Sequence, residues 1–209
     1  MQTYENQLNA DLQWALREGS MHFEGESAVH KTLRRICKRL DELDIDYAIA
    51  GGMALFFHGY RRFTEDVDVL VTCDGLAKLH EHLEGRGYLR PFKKSKNLRD
   101  TVTGVKIDFL VAGGYPGDGK PGPVAFPTPA EVSIESDGVR VLALKSILQL
   151  KLASGSAPGR QKDLGDVQEL IRTLELPADM ELQIDSSLRE LFRQLWNDVQ
   201  ESRTNEQEL

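Results

Sequence analysis

The chain has 209 residues, a length that fits one domain, or one domain with a small helical appendage. With 40% hydrophobic and 28% charged residues, the composition is that of a globular protein and excludes wholesale disorder. The formal net charge of −7 excludes a surface that attracts nucleic acid over its whole area.

The hydropathy pattern predicts no membrane span and no secretory signal. The longest apolar stretch, 47–57, has eleven residues, whereas about 20 are needed to cross a bilayer. The first sixteen residues carry acidic side chains and no basic-then-apolar pattern. The two cysteines, Cys37 and Cys73, lie far apart in the sequence, which argues against a disulfide framework and a cysteine-based zinc site. We therefore expect a cytoplasmic protein with no membrane partner.

Hydrophobic spacing predicts helices and short strands in alternation over the first 142 residues. Apolar residues three and four apart make 28–43 an amphipathic helix, and the sequence before it has helical character. Two further helices are expected at 53–58 and 75–84. Short apolar or alternating runs predict strands at 47–50, 66–72, 88–92, 105–111 and, as one or two strands around a turn, 131–142.

The remainder of the chain is predicted to form a helical C-terminal subdomain at 143–201. Proline and glycine make 113–123 a loop, and glycine, serine and proline produce a second break at 154–159. The expected helices are 144–152, 163–174 and 187–199. The polar segment 202–209 is expected to be a frayed tail, so the predicted core is 1–142, with N-terminal helices.

Three aspartates occur where neighbouring strands could bring them together. Asp66 and Asp68 alternate with valines, so that both project from one face of a strand, and Asp108 lies on a later strand. Two carboxylates on one face repel each other unless water or a cation compensates them. A divalent cation such as Mg²⁺ prefers oxygen ligands of this kind. The alternative is that Asp66 caps the strand edge, Asp68 faces water and Asp108 has a similarly ordinary structural role.

A longer motif surrounds the first two aspartates. It consists of Gly51-Gly52-Met53-Ala54-Leu55, then His58-Gly59, Arg62 and Thr64, and finally Asp66-Val67-Asp68. The motif resembles the signature of the DNA polymerase beta-like nucleotidyltransferase superfamily. It is most similar to the small bacterial members that include AbiEii-type toxins and minimal or antibiotic-modifying nucleotidyltransferases. The resemblance covers about residues 45–172 and implies an α+β nucleotidyltransferase fold, with a small mixed β-sheet flanked by helices and a helical C-terminal part.

The resemblance also implies roles for individual residues. The implied ligands of Mg²⁺ or Mn²⁺ are Asp66, Asp68 and Asp108. The implied nucleotide contacts are Gly51, Gly52, Arg62 and Thr64. Asp108 would accept a proton from the acceptor hydroxyl. Many members have a hydroxyl residue in the phosphate loop, where this chain has Gly52 and Met53, so we expect one hydrogen bond to phosphate to be missing and nucleotide affinity to be reduced.

A second block downstream resembles the conserved C-terminal motif of AbiEii-like proteins. It contains Lys151-Leu152-Ala153, Arg160, Lys162-Asp163-Leu164 and Asp166. The resemblance implies that Lys151 contacts a nucleotide phosphate and that Asp163 lies near the site. The local order Gln-Lys-Asp departs from the Arg-Asp of the family, and Asp163 has an alternative role as the N-cap of a helix.

The stretch from Arg86 to Lys106 is strongly basic for so acidic a chain. One acidic residue, Asp100, opposes its basic residues, which are Arg86, Arg90, Lys93, Lys94, Lys96, Arg99 and Lys106. The stretch is a candidate surface for the phosphates of tRNA or another RNA, and the alternative is a solvated face.

These patterns predict metal-dependent transfer of a nucleoside monophosphate from a nucleoside triphosphate to an acceptor hydroxyl on RNA, protein or a small molecule. A role as the toxin of a toxin-antitoxin pair, with a cognate antitoxin as partner, extends this prediction. The alternative is a noncatalytic module that binds nucleotide or a partner on the same fold. The presence of all three aspartates favours the enzyme.

Overall fold

The computed structural model describes the backbone of residues 2–207 and the side chains of residues 2–205. Within these residues the helices are α1 (Tyr4–Ala10), α2 (Leu12–Phe23), α3 (Ala28–Glu42), α4 (Gly51–Phe57), α5 (Cys73–Leu83), α6 (Pro129–Val132), α7 (Leu144–Gly155), α8 (Gln161–Thr173) and α9 (Arg189–Gln207). The strands are β1 (Tyr47–Ile49), β2 (Asp66–Val71), β3 (Tyr88–Leu89), β4 (Leu98–Asp100), β5 (Lys106–Val111), β6 (Ser133–Ser136) and β7 (Val139–Leu142). Two short 3-10 helices occupy Ala178–Gln183 and Ser186–Leu188.

The strands form one mixed sheet in the order β3-β4-β5-β2-β1-β7-β6. At its centre, β2 pairs in parallel with β5 and antiparallel with β1. The pairing of β1 with β7 is also parallel, whereas β6 and β7 form an antiparallel hairpin. This mixed sheet, with helices around it and a helical C-terminal part, confirms the predicted α+β class.

Side-chain alternation gives the central strands two different faces. Val67, Val69 and Val71 of β2 are buried in the core, together with Ile107 and Phe109 of β5. The apolar stripes of α3 and α5 pack in the same core. Because successive side chains on a strand point to opposite faces, the aspartates of both strands project from the other side of the sheet.

Residues at the ends of several elements account for where these elements begin. Ser27 caps α3 by accepting a hydrogen bond from the backbone N–H of His30, and Thr72 caps α5 in the same way through Gly75. Asp137 and Gly138 have positive φ angles in the tight turn between β6 and β7. The turn at Asp137 and Gly138 was part of the prediction, whereas the caps Ser27 and Thr72 were not.

Backbone contacts divide the chain into two compact units. The first comprises the residues up to 57, 61–112 and 128–142, and it contains the whole sheet. The second comprises 58–60, 113–127 and the residues from 143 onward, and it contains α7, α8 and α9. No helix in the described part of the chain is long and apolar enough to cross a bilayer.

Some predicted boundaries differ from the structure. The predicted strand at 88–92 stops at Leu89, and Pro91 follows, which has no N–H to donate to a sheet. The strand β4 was not predicted. The last helix extends to Gln207 rather than 199, so the tail expected at 202–209 is helical to 207, and residues 208 and 209 lie outside the described residues.

Candidate active site

Three aspartates come together on the face of the sheet that points away from the core. In the parallel pairing of β2 with β5, Asp68 lies directly opposite Asp108, and Asp66 lies two residues before Asp68. One carboxylate oxygen from each of the three lies within 4.8 Å of the other two. All three side chains are half-buried. Such a cluster of oxygen ligands could hold a divalent cation.

Two of the three carboxylates, those of Asp66 and Asp108, contact different neighbours. The hydroxyl of Thr64 donates a hydrogen bond of 2.8 Å to Oδ1 of Asp66. The ammonium group of Lys106 lies 2.8 Å from Oδ2 of Asp108. The other oxygen of Asp108, Oδ1, is buried and has no hydrogen-bond partner among the described residues. A buried carboxylate oxygen without a donor is costly, and a bound cation would compensate it, so the donor set fits a metal ion.

The glycine pair Gly51-Gly52 lies so close to this cluster that there is no room for a side chain at either position. Gly51 has a φ of +56°, and a Cβ added to it would lie 1.8 Å from Oδ2 of Asp68. A Cβ on Gly52 would lie 2.7 Å from both Cβ and Oγ1 of Thr64. The first turn of α4 therefore packs directly against Asp68 and Thr64. The first N–H groups of a helix have no partner within the helix and can bind an anion near the carboxylates.

Arg62 and Thr64 lie on the segment that leads into β2. Thr64 is buried, and its hydroxyl is directed to Asp66. The guanidinium group of Arg62 donates to the carbonyl of Phe63 at 3.2 Å. The carbonyl oxygen of Arg62 accepts a hydrogen bond of 3.0 Å from Nε2 of His22. The contact of Arg62 with nucleotide stays a prediction, and the visible role of Thr64 is to orient a carboxylate.

Lys151 and Asp163 form a buried ion-pair network in the second unit. Nζ of Lys151 lies 3.0 Å from Oδ1 of Asp163 and 2.7 Å from Oδ2 of Asp166. Oδ2 of Asp163 accepts hydrogen bonds from Ser154 and pairs with Arg160, each at 2.7 Å. The predicted nucleotide contacts of Lys151 and Asp163 stay predictions. In the structure, the charges of these side chains compensate one another.

The alternative role of Asp163 as an N-cap is not observed. The helix α8 begins at Gln161, its N-cap residue is Arg160, and Asp163 lies within the first turn. Burial by itself raises the pKa of Asp163, but the charge of Lys151, the Ser154 hydroxyl and the charge of Arg160 outweigh it and hold the pKa below its ordinary value. This carboxylate is therefore stabilised in its ionised form.

The basic stretch from Arg86 to Lys106 is only partly available to a ligand. Three of its cations have carboxylate partners at 2.8 Å, in the pairs Arg90–Glu84, Arg99–Glu5 and Lys106–Asp108. The exposed cations are Arg86, Lys93, Lys94 and Lys96. The candidate phosphate surface is therefore limited to the loop between β3 and β4 and to Arg86, which lies two residues before β3.

Lys106 belongs to the aspartate cluster, whereas the sequence had predicted it only as part of the basic stretch. Lys106 and Asp108 are two residues apart on a strand, so they share a face. The parallel register then places Lys106 opposite Asp66. The alternation in Lys106-Ile107-Asp108 was the available signal.

Comparisons with known proteins give a structural likeness without a sequence match. No family model and no curated protein sequence matches this chain. The chain is similar in structure to ANT(2″)-Ia in complex with adenylyl-2″-tobramycin, with a TM-score of 0.51 and 17% identity over 78% of this chain and 96% of that one. An antigenic nucleotidyltransferase-like protein from Paracoccidioides brasiliensis gives a TM-score of 0.48 and 19% identity over 82% and 87% of the two chains. The likeness to ANT(2″)-Ia shows that this chain has the nucleotidyltransferase fold.

Proposed function

We propose that this protein is a metal-dependent nucleotidyltransferase that transfers a nucleoside monophosphate from a nucleoside triphosphate to an acceptor hydroxyl. The observation that carries the proposal is the convergence of Asp66, Asp68 and Asp108 beside the Gly51-Gly52 turn. Three half-buried carboxylates concentrate negative charge where only a cation relieves it. A triphosphate needs both cations and backbone donors, and this place on the fold offers carboxylate ligands for a cation next to the first N–H groups of α4.

The three aspartates would hold Mg²⁺ or Mn²⁺. The bound ion would neutralise the charge of the phosphate oxygens and lower the pKa of the acceptor hydroxyl. The backbone N–H groups of Gly52 and Met53 bind phosphate oxygens. The acceptor oxygen attacks the α-phosphorus, a new P–O bond forms, and the bond to the leaving pyrophosphate breaks. A carboxylate oxygen of Asp108 accepts the hydroxyl proton. In the same scheme Arg62 contacts the triphosphate.

A direct assay tests the transfer itself. The purified protein is incubated with each of four labelled nucleoside triphosphates and Mg²⁺ or Mn²⁺, with total RNA, protein extract or small-molecule extract as acceptor. Label should move to one acceptor fraction, and Asp68→Asn should abolish the transfer. Asp137→Asn is a matched control because Asp137 is exposed, lies in a turn, and has a positive φ that asparagine tolerates.

A noncatalytic module would give a different pattern. Metal with triphosphate would then raise the melting temperature of the wild type, and no acceptor fraction would carry label. A wild-type protein whose melting temperature responds to neither metal nor triphosphate would contradict both functions.

For the acceptor, we infer an RNA strand, because of the loop between β3 and β4. This loop presents the exposed lysines Lys93, Lys94 and Lys96, together with Phe92, which is 67% exposed. Lysines bind phosphates, and an exposed aromatic ring can stack on an unpaired base. A strand with unpaired bases therefore matches the loop in both charge and shape.

The loop is anchored one strand away from Asp108. The hydroxyl of Ser95 donates to the carbonyl of Asn97 at 3.2 Å and accepts from its N–H at 3.0 Å. The side-chain oxygen of Asn97 accepts from the backbone N–H of Phe109 at 3.0 Å, next to Asp108. An RNA bound on the loop would thus lie close to the proposed proton acceptor.

A variant with Lys93, Lys94 and Lys96 all changed to glutamine distinguishes binding of the RNA acceptor from binding of the nucleotide. It should lose labelling of RNA and keep the thermal shift caused by metal and triphosphate. Unchanged RNA labelling would refute the role of the loop, and labelling of only protein or small molecules would identify another acceptor class.

The resemblance to AbiEii-type toxins extends the proposal to a toxin that a cognate antitoxin restrains. Expression of the wild type in bacteria should then arrest growth, and Asp68→Asn should not. Co-expression of a neighbouring gene should relieve the arrest. Normal growth during wild-type expression would refute the toxin role and leave the transferase activity as a separate question.

A further inference from the structure

We propose that Lys106 is an internal counter-ion of the aspartate cluster, which a divalent cation must displace and which then becomes a positioning group for phosphate. The inference rests on the proposed metal site. It concerns a residue that the nucleotidyltransferase signature in this sequence does not include.

The geometry places Lys106 inside the cluster rather than beside it. In the parallel register of β2 and β5, Asp66 is opposite Lys106 and Asp68 is opposite Asp108. The four side chains therefore form a two-by-two array on one face of the sheet. Nζ of Lys106 lies 2.8 Å from Oδ2 of Asp108, and the two side chains are 34% and 20% exposed.

One lysine is insufficient to neutralise the three carboxylates of the array. Three carboxylates and one ammonium group leave two negative charges, which equals the charge that one divalent cation neutralises. Lys106 contacts one oxygen of Asp108, and Oδ1 of the same carboxylate stays buried without a hydrogen-bond partner among the described residues. The lysine thus reduces the repulsion in the metal-free protein and leaves an oxygen uncompensated.

Displacement of Lys106 has two consequences. Because like charges repel, the ammonium group weakens the binding of a cation to the cluster when no triphosphate is present. Once a cation compensates Asp108, the pair with Lys106 loses its main attraction, and Nζ can contact a phosphate oxygen instead. Metal and triphosphate should therefore bind more favourably together than separately.

The experiment measures Mn²⁺ binding without nucleotide, by isothermal titration calorimetry, in the full-length protein. Lys106→Gln should bind Mn²⁺ roughly tenfold more tightly than the wild type, because one positive charge a few ångströms from the ion is removed. Lys106→Arg keeps the charge and should bind like the wild type. Lys31→Gln, which changes an exposed lysine of α3, is a matched control for the loss of one charge and should also be unchanged.

Thermal unfolding gives a second readout that does not depend on activity. Without metal, Lys106→Gln should melt below the wild type, because the carboxylates lose their internal cation. Saturating Mn²⁺ should close this gap. A variant that fails to fold would show no metal-dependent recovery, and Lys106→Arg would then carry the test, since it should retain both the wild-type melting temperature and the wild-type Mn²⁺ affinity.

The outcomes distinguish the inference from the proposed function. Equal or weaker Mn²⁺ binding by Lys106→Gln would overturn the role of Lys106 and leave the metal site intact. Failure of Mn²⁺ to bind either protein would overturn the metal site and, with it, the inference. Only tighter Mn²⁺ binding by Lys106→Gln than by the wild type supports both the role of Lys106 and the metal site.

Discussion

Two clusters of aspartate and lysine in this protein differ in how far their charges are balanced. In the first unit, Asp66, Asp68 and Asp108 are half-buried, Lys106 pairs with Asp108, and Oδ1 of Asp108 is buried with no donor in the described part of the chain. In the second unit, Asp163 and Asp166 are buried and share Lys151, and Ser154 and Arg160 complete the hydrogen bonds of Asp163.

The difference shows how burial and pairing separate a binding site from a structural one. A desolvated carboxylate must be compensated, either by the protein or by a ligand. The second cluster supplies its own cations and is complete without a ligand. The first cluster keeps a surplus of negative charge, which favours binding of an outside cation. The comparison therefore predicts different consequences for substitutions in the two places.

The largest expected effect is on catalysis, from Asp68→Asn in the first cluster. Loss of one charged ligand should reduce the rate of nucleotidyl transfer by at least about a thousandfold. The stability of the metal-free protein should not fall, because the change reduces repulsion among the carboxylates. Initial rates and thermal unfolding of the two proteins test both statements. A large loss of stability would place Asp68 in the same structural class as Asp163.

Lys151→Met should have the largest effect on stability. It leaves two buried carboxylates without their shared cation, and the expected loss is about 3–5 kcal/mol of the free energy of unfolding. Urea denaturation measures it. Lys145→Met, at an exposed position on the same helix, is the control and should be nearly neutral. Equal unfolding midpoints for Lys151→Met and the wild type would instead favour the predicted nucleotide contact.

His30 shows a third way to accommodate a buried titratable group, in which the fold excludes its charged form. Its side chain is buried against Phe56 beside Ser27, and Nε2 lacks a hydrogen-bond partner among the described residues. Burial, followed by the charges of His22 and Arg34, lowers the pKa of His30 to about 4. The neutral form is therefore the one that stabilises the fold.

The sign of the pH dependence follows from this lowered pKa. The stabilisation is complete above the unfolded pKa of about 6.5 and is lost as the pH falls from there towards 4, by at most about 3 kcal/mol. His30→Phe removes the titration, so the stability difference between the variant and the wild type should change over this range. Urea denaturation at pH 7, 5.5 and 4 measures it, and a constant difference would contradict the prediction.

The smallest expected effect comes from Thr64→Val, which removes the hydroxyl that orients Asp66 and keeps the shape of the side chain. Transfer should slow by about tenfold, since one hydrogen bond to a charged group is lost. Thr64→Ser should restore the rate. The affinity for nucleotide, measured by thermal shift, should stay unchanged; weaker binding would support the predicted role of Thr64 as a nucleotide contact.

The fold followed from local patterns wherever those patterns were strong. Val67 and Val69 alternate with Asp66 and Asp68, which gives β2 and the common face of its two aspartates without knowledge of the partners. The strand β4 could not be predicted, because Leu98-Arg99-Asp100 has one apolar residue and no alternation. It forms because the edge of β5 is available for pairing.

The sequence alone determined which side chains share a strand face and that a glycine pair stands ahead of two aspartates. Tertiary structure decided that β2 lies parallel to β5 with Asp68 opposite Asp108, and that Lys106 falls within the cluster. It also decided that Lys151 is surrounded by carboxylates. The reason is that side-chain direction is a local property of the backbone, whereas strand partners and the compensation of charges depend on which distant segments lose water together.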